Sequence, residues 1–208
     1  HVIMKICKQT LLNKEWDTLL DIVFANPSQY NTEQQLLFEL NLYIISELIS
    51  SSMEYLKHKL NDINNILTVA FSMGNTTMKE NATVCLGNLI SSLEKNELLH
   101  FKQFNNVLFK EIGNFNEKTI HRIYETLCDF QINSLYFFED NFDIIIPITI
   151  QLVNNADISA NTKIVLCEFM IMIAKYKKKT YTKNANAFLK ELITLAFTLL
   201  SNPLNEHE

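Results

Sequence analysis

The chain has 208 residues, a hydrophobic fraction of 48% and a net charge of −5, which fit one folded domain or two small ones. Only three glycines and three prolines occur, so the glycine turns that β-hairpins, Rossmann crossovers and phosphate-binding loops require are missing. The acidic balance argues against nucleic-acid binding, because neutralising phosphates requires a basic face. We therefore expect an all-helical protein with basic or apolar partners and no nucleic-acid contact.

No stretch of the sequence reaches the roughly 20 apolar residues that a membrane span needs. The most apolar run, residues 142–153, is interrupted by Asp143, Pro147 and Gln151. The chain begins inside an amphipathic pattern, without the charged region that opens a signal peptide. We therefore expect a soluble fragment of a longer chain that contacts no membrane.

Apolar residues recur at helical spacing along almost the whole chain, with short polar breaks between the segments. The second segment places Trp16, Leu19, Leu20 and Val23 on one face. Pro147 lies inside an apolar helix, which we expect it to kink without ending. In chain order the predicted helices span residues 2–12, 14–25, 33–50, 56–73, 78–94, 101–112, 117–133, 138–155, 160–177 and 184–201.

Two of these helix starts have a capping-box pattern, Thr32 with Gln35 and Thr77 with Glu80. In such a box each side chain satisfies the free backbone N–H group of the other residue. The pattern therefore predicts that one helix is capped by Thr32 and a later helix by Thr77.

The four cysteines indicate an internal repeat. Cys85, Cys128 and Cys167 lie 43 and 39 residues apart, Cys7 precedes Cys85 by about two periods, and each falls in the second helix of a predicted pair. Structural zinc sites need ligands two to four residues apart, so we expect buried thiols and neither a metal cluster nor disulfides. The period of about 40 residues predicts an all-α fold, a right-handed α-solenoid of about four to five HEAT repeats in a single array over residues 1–208.

Nothing in the sequence predicts catalysis. The five histidines never pair at i, i+4, and no glycine-rich loop is present to hold a phosphate, so we expect no enzyme, metal or cofactor. The three lysines at 177–179, with flanking tyrosines, fit nucleic-acid contact or a solvated loop, and we favour the loop. Phe130, Phe137, Phe138 and Phe142 fit an exposed aromatic pocket or the core, and their helical spacing favours the core.

A line of polar residues follows one face of each second helix when residues are placed at 100° intervals. One acid from each line gives Glu39, Glu80, Glu125 and Glu168, which recur at intervals of 41, 45 and 43 residues. We call these four residues the acidic ladder. Stacked repeats would align it along a concave surface that suits a Lys/Arg-rich segment.

The same helical wheels place further polar residues outward, among them Ser46 and Asn88. The predicted partner-binding residues are Glu39, Glu80, Asn88, Glu125, Asp129 and Glu168. The alternative is that exposed helix positions favour glutamate in any protein, and that Glu80 only caps its helix.

Four stretches follow one another in an order typical of a known family: LHFKQF at 99–104, YETL at 124–127, FDIIIP at 142–147 and IVLCEFMIMI at 164–173. The last is similar to an aliphatic-Ala-Leu-Glu unit followed by a helix rich in Val, Ile and Thr. Trp16, before its apolar run, is similar to a tryptophan of the family's preceding repeats. Together these features resemble the importin-β superfamily of nuclear transport receptors (karyopherins), specifically its importin beta-3 branch.

The resemblance implies an early-to-middle piece of the receptor's HEAT superhelix, working in cytoplasm, nucleus and nuclear pore. Such receptors carry cargo proteins with basic nuclear localisation signals, bind phenylalanine-glycine nucleoporins on their outer helices, and release cargo to Ran GTPase, whose main contacts would lie outside this segment. Lys175 stands where the family is often acidic, and the acidic stretch that usually follows is reduced to Glu206 and Glu208. The alternative function is a HEAT or armadillo scaffold or adaptor with apolar grooves.

Overall fold

The computed structural model describes residues 17–24, 35–72, 75–129 and 131–176, together with residues 9, 193, 194 and 197. The chain divides into two compact units, unit 1 (His1–Val107) and unit 2 (Leu108–Glu208). Within the described ranges every regular element is a helix, which confirms the predicted all-α class. Of the predicted helices 2–12 and 184–201, only residue 9 and residues 193, 194 and 197 are described, and all four are helical. The cap Thr32, Trp16, Cys7 and Phe130 lie outside the described residues.

Unit 1 alternates long helices with short connections. Its elements are α1 (Asp17–Val23), α2 (Gln35–Leu56), a 3-10 turn (Lys57–Lys59), α3 (Leu60–Ser72), α4 (Thr76–Ser92), α5 (Lys95–Leu98) and a 3-10 segment (Leu99–Phe104). The predicted helix 101–112 is therefore wrong at its start, because its first turns are 3-10 and the α-helix begins only at Asn105.

Helix α2 is longer than the predicted helix 33–50 and is interrupted near its end. Ser52 leaves helical geometry at φ −153° and ψ 34°. Just before it, the hydroxyls of Ser50 and Ser51 both donate to the backbone oxygen of Glu47, at 3.3 and 2.9 Å. Because such side-chain bonds compete with the helical backbone ladder, they favour the interruption that separates the two ends of α2.

Helix α4 begins earlier than its predicted capping box. Asn75 is the N-cap, and its Oδ1 accepts hydrogen bonds from the backbone N–H groups of Thr77 at 2.9 Å and Met78 at 3.5 Å. The predicted cap at Thr77 is therefore wrong, since Thr77 already lies in the first helical turn. Asparagine is as good an N-cap as serine or threonine, and it precedes both threonines here.

Unit 2 begins within a helix, and four further helices follow in its described residues. Helix α6 (Asn105–Ile112) leads into α7 (Glu117–Asp129), α8 (Gln131–Phe138), α9 (Phe142–Asn154) and α10 (Ala160–Tyr176). The predicted helix 117–133 is helical at each of its described residues, 117–129 and 131–133, and the helical residues continue beyond its predicted end to Phe138. Pro147 lies inside α9 and does not end it, as predicted.

Aromatic side chains fill the core of unit 2. Phe137, Phe138 and Phe142 are buried, which confirms their predicted core position. The rings of Tyr124 (α7) and Phe169 (α10) meet edge to face with centroids 5.2 Å apart. The Tyr124 hydroxyl lies 2.9 Å from the Thr149 hydroxyl of α9, so the buried phenol has a polar partner as well as apolar neighbours.

The repeat predicted from the cysteines is visible as hydrogen bonds between helices about 42 residues apart. In unit 1, Asn88 of α4 contacts Ser46 of α2, and Ser92 donates to the Ile49 backbone oxygen at 3.5 Å. In unit 2, Glu117 of α7 pairs with Ser159 beside α10. Contacts further along one helix meet residues further along the other, so both pairs run parallel, as second helices of successive HEAT repeats do.

Candidate partner-binding site

The unit 1 end of the predicted acidic ladder is tied to neighbouring side chains. Glu39 is half-buried, and its Oε1 accepts hydrogen bonds of 3.1 Å from both Gln35 and Asn75. Asn75 is the N-cap of α4, so Glu39 connects α2 to the start of the neighbouring parallel helix. Glu80 is half-buried on α4. Neither carboxylate projects freely into solvent.

Asn88 does not point outward as the helical wheel predicts. It is half-buried, and its amide Nδ2 donates to the backbone oxygen of Ser46 at 2.9 Å and lies 3.0 Å from the Ser46 hydroxyl. Ser46 is itself buried. The outward placement of both residues is wrong, because a wheel cannot separate a polar residue that faces solvent from one that faces a neighbouring helix. A role of Asn88 in partner binding remains a prediction.

The unit 2 members of the predicted site are exposed and lie together. Glu125 and Asp129 are on α7 and Glu168 is on α10, and all three side chains face solvent. Burial, followed by the negative charges of Glu168, Asp129 and Glu125, raises the pKa of the half-buried Cys128 thiol to about 12. Cys128 lies between Glu125 and Asp129 on α7, and its Sγ is 3.8 Å from the Val165 backbone oxygen of α10, one turn before Glu168. We call Glu125, Asp129 and Glu168 the acidic cluster.

The three described cysteines differ in burial. Cys85 is fully buried, as predicted, and burial raises the pKa of its thiol. Cys128 and Cys167 are only half-buried, and burial followed by the charge of Glu168 raises the pKa of Cys167 to about 11. All three are free thiols that stay protonated at neutral pH, so they are poor nucleophiles.

A carboxylate that sequence reasoning missed joins α7 to α10. Glu117 Oε1 accepts hydrogen bonds from the Ser159 backbone N–H at 3.0 Å, from the Ser159 hydroxyl, and from the Thr162 hydroxyl at 2.7 Å. We call this arrangement the Glu117 bridge. The bond from the Ser159 hydroxyl, followed by those from Thr162 and the Ser159 backbone, holds the pKa of Glu117 below its usual range, and nearby His121 adds to the effect.

Unit 2 also contains an open groove of about 530 Å³. Its apolar surface comes from Ile148 and the buried Leu152 of α9, and its polar rim includes the exposed Gln151. We call it the amide groove, and it is lined by Gly113, Ile148, Gln151, Leu152, Asn154 and Asn155. An apolar floor with a few polar groups at its rim is the usual composition of a ligand site.

Gly113 forms the opposite wall of the amide groove, in the turn between α6 and α7. A Cβ atom placed on Gly113 meets no other atom within 4 Å, so a side chain can begin there without a clash. The sequence offers one signal for this position, since Gly113 is one of only three glycines in the chain. The other lining residues come from α9 and its C-cap Asn155, 35 to 42 residues later, and no local motif connects them to Gly113.

In the described part of the chain, no group of three or more His, Cys, Asp or Glu side chains is placed to hold a metal ion. The stretch Gln35–Ser72 is long and apolar enough to cross a membrane, but 56% of its most apolar window is buried within the protein. Burial of that kind is typical of helices in a protein core, which can be equally long and apolar.

Comparison with known proteins identifies the fold. No protein-family model and no curated protein matches the chain. The structure is similar to the crystal structure of Kap121p bound to Nup53p, with a TM-score of 0.68 and 17% sequence identity. The likeness covers 92% of this chain and 18% of that one, so the chain spans under a fifth of that protein's length. This likeness confirms the predicted fold class, an all-α helical solenoid of the HEAT type.

Proposed function

We propose that the chain is a segment of a nuclear transport receptor of the importin-β type, related to the importin beta-3 branch. The observation that supports this most strongly is the fold likeness to Kap121p over 92% of the chain, since that protein was crystallised with Nup53p. In this proposal the segment moves between cytoplasm and nucleus through the nuclear pore and takes part in protein import. Its contacts with Ran lie mainly outside these residues, and it catalyses no reaction.

The acidic cluster is the proposed contact for basic cargo signals. Glu125, Asp129 and Glu168 are exposed and lie beside the contact of Cys128 with Val165 on two neighbouring parallel helices. An exposed carboxylate that meets a Lys or Arg contributes about 1 kcal/mol or less, so the three must act together. Glu39, Glu80 and Asn88 are secondary candidates, because Glu39 and Asn88 already bond to neighbouring side chains.

A basic localisation peptide tests this contact. We expect labelled peptide to bind the chain weakly by fluorescence anisotropy, with lower affinity at high salt because exposed charges are screened. The variant Glu125→Gln/Asp129→Asn/Glu168→Gln should lose that binding. Its control removes three exposed acids elsewhere, Asp21→Asn/Glu54→Gln/Asp157→Asn, with the same change in net charge. Equal affinity in the two variants contradicts the assignment.

The amide groove is the proposed contact for phenylalanine-glycine nucleoporin segments. A phenylalanine ring buries a large apolar area, which Ile148 and Leu152 offer in the groove. The amide of Gln151 at the rim supplies a donor and an acceptor for an extended peptide backbone. The volume of about 530 Å³ lies in the range of small-ligand pockets.

Filling the groove tests this second contact. The Cβ atom of Gly113→Phe has open space around it, and we expect its ring to occupy the groove. The chain should therefore fold normally and lose binding of a phenylalanine-glycine peptide. The matched control is Asn114→Phe, an exposed neighbour that does not line the groove. Unchanged peptide affinity in Gly113→Phe contradicts the groove as the binding site.

An apolar line on α2 favours a second candidate function, a HEAT scaffold or adaptor. Leu36, Leu40 and Tyr43 follow one helical face and are 76%, 45% and 43% exposed. A scaffold that binds partners through such a surface would do so with little salt dependence. Partner binding that is insensitive to salt and to the acidic-cluster variant would therefore favour the scaffold.

A further inference from the structure

We propose that the Glu117 bridge holds the two walls of the amide groove in register, so that ligand affinity depends on a carboxylate outside the groove. The proposal rests on the nucleoporin function proposed for that groove. It makes Glu117 a positioning residue that acts through two turns of the chain. Its support is the internal geometry of those turns in unit 2.

The first turn runs from the groove wall at Gly113 to Glu117. The backbone N–H groups of Asn114 and Phe115 donate to α6 oxygens at 2.8 and 3.2 Å, and Phe115 is buried. Asn116 then caps α7, with its Oδ1 accepting from the Thr119 N–H at 3.0 Å. Three residues with fixed hydrogen bonds thus connect the groove wall to the bridge.

The second turn runs from the opposite wall at Asn155 to Ser159 and is built in a similar way. Asn155 Oδ1 accepts from the Asp157 N–H at 2.9 Å, and its backbone oxygen accepts from the Ile158 N–H at 3.4 Å. The Ile158 side chain is buried, as that of Phe115 is in the first turn. Both turns therefore start at a groove wall, contain a buried anchor and end at the Glu117 bridge.

The Glu117 bridge reduces the electrostatic repulsion between the N-terminal ends of α7 and α10. Helices α7 and α10 run parallel, so their N-terminal ends, which bear partial positive charge, lie side by side. The Glu117 carboxylate provides negative charge between them and accepts three hydrogen bonds. Removing the carboxylate leaves the buried Thr162 hydroxyl with His121 and Ser159 as its remaining neighbours. We expect the two turns to separate or shift when it is removed.

Two variants separate positioning from general loss of structure. Glu117→Ala removes the acceptor and should weaken phenylalanine-glycine peptide binding by about fivefold or more, a typical coupling between sites. Glu117→Gln retains one oxygen acceptor and should restore most of the affinity. Ser159→Ala, which leaves the backbone donor and Thr162 in place, should have an intermediate effect and serves if Glu117→Ala does not fold by circular dichroism.

A distance measurement tests the positioning directly and needs no ligand. Spin labels go on the exposed residues Asn114→Cys and Ala156→Cys, in a chain whose four native cysteines are replaced by alanine. Double electron–electron resonance should give a longer or broader distance distribution in Glu117→Ala than in the parent, with Glu117→Gln close to the parent. An unchanged distribution in Glu117→Ala overturns the proposal.

The outcomes distinguish this proposal from the function on which it rests. If Gly113→Phe abolishes peptide binding and Glu117→Ala leaves the affinity unchanged, the groove function stands and the positioning role is overturned. If the parent chain binds no peptide, the groove function fails. The distances between the spin labels then still show whether the Glu117 bridge sets the separation of the two turns.

Discussion

Each unit contains a pair of parallel helices about 42 residues apart in sequence. The side-chain contacts that hold the pair together differ between the two units. In unit 1 the polar contacts are distributed along α2 and α4, from Glu39 with Asn75 at one end to Ser46 with Asn88 further along. In unit 2 the polar contacts are concentrated at the N-terminal ends around Glu117, while the middle is held by the Tyr124 and Phe169 rings. The same parallel packing of helices can therefore be held by different residue types at equivalent interfaces.

This difference also decides which polar residues remain available to partners. In unit 1 the interface uses Glu39, Ser46 and Asn88, all of which the helical wheel placed outward. In unit 2 the aromatic interface leaves Glu125 and Glu168 exposed beside it. The aromatic interface of unit 2 thus leaves its neighbouring carboxylates exposed to partners. The polar interface of unit 1 instead uses its carboxylate in hydrogen bonds between helices.

The largest expected effect is on the aromatic interface of unit 2. Phe169→Ala should lower the free energy of unfolding by about 3–5 kcal/mol, because a fully buried ring is lost and a cavity remains. Ile171→Ala on the same helix is the control, since its side chain is 55% exposed and its loss should be small. Urea denaturation measures both, and a Phe169→Ala effect below that of Ile171→Ala contradicts the description of this interface.

A smaller effect is expected at the amide interface of unit 1. Asn88→Ala should cost about 1–2 kcal/mol, because the buried Ser46 oxygens lose their hydrogen-bond donor. Asn65→Ala, an exposed asparagine on α3, provides the matched control and should change stability little. Equal urea midpoints for Asn88→Ala, Asn65→Ala and the parent would show that the amide adds nothing to the pairing of α2 with α4.

The Glu117 bridge should make part of the stability depend on pH. Hydrogen bonds hold the pKa of Glu117 below its ordinary value of 4.5, so its contribution is fully present above that value and is lost as pH falls through the lowered pKa. We therefore expect the difference in unfolding free energy between the parent and Glu117→Gln to shrink in acid. A difference that stays constant from pH 6 down to about pH 3 is the contrary result.

The smallest expected effect on stability is at the acidic cluster. Neutralising Glu125, Asp129 and Glu168 together should shift the unfolding free energy by no more than about 0.5 kcal/mol per residue, because all three are exposed. Thermal unfolding of the same variant used for peptide binding makes this comparison. A large loss of stability would mean that these carboxylates serve the fold and that any loss of binding is indirect.

Apolar periodicity predicts most of the helices and the aromatic core, and the spacing of the cysteines predicts the repeat period. It fails where a short polar side chain competes locally with the pattern, as Ser50 and Ser51 do before Ser52 and as Asn75 does at the start of α4. These failures displace helix boundaries without changing the order of helices.

The candidate sites are less predictable from sequence than the helices. The amide groove combines Gly113 with residues about 40 positions later, and the Glu117 bridge joins residues 42 positions apart. Only parallel packing of successive repeats brings these positions together. For the same reason the sequence could place Asn88 on a polar face but could not show that a neighbouring helix lies against that face.

Chemical-shift mapping tests the central claim, that this helical array binds transport partners, most directly. Isotope-labelled chain is titrated with a phenylalanine-glycine peptide while two-dimensional amide spectra are recorded. We predict that the perturbed amides concentrate around Gly113 and residues 148–155, and that the same peptide perturbs none of them in Gly113→Phe. Perturbations located elsewhere in the chain, or none at all at millimolar peptide, would contradict the assignment of the amide groove as a nucleoporin site.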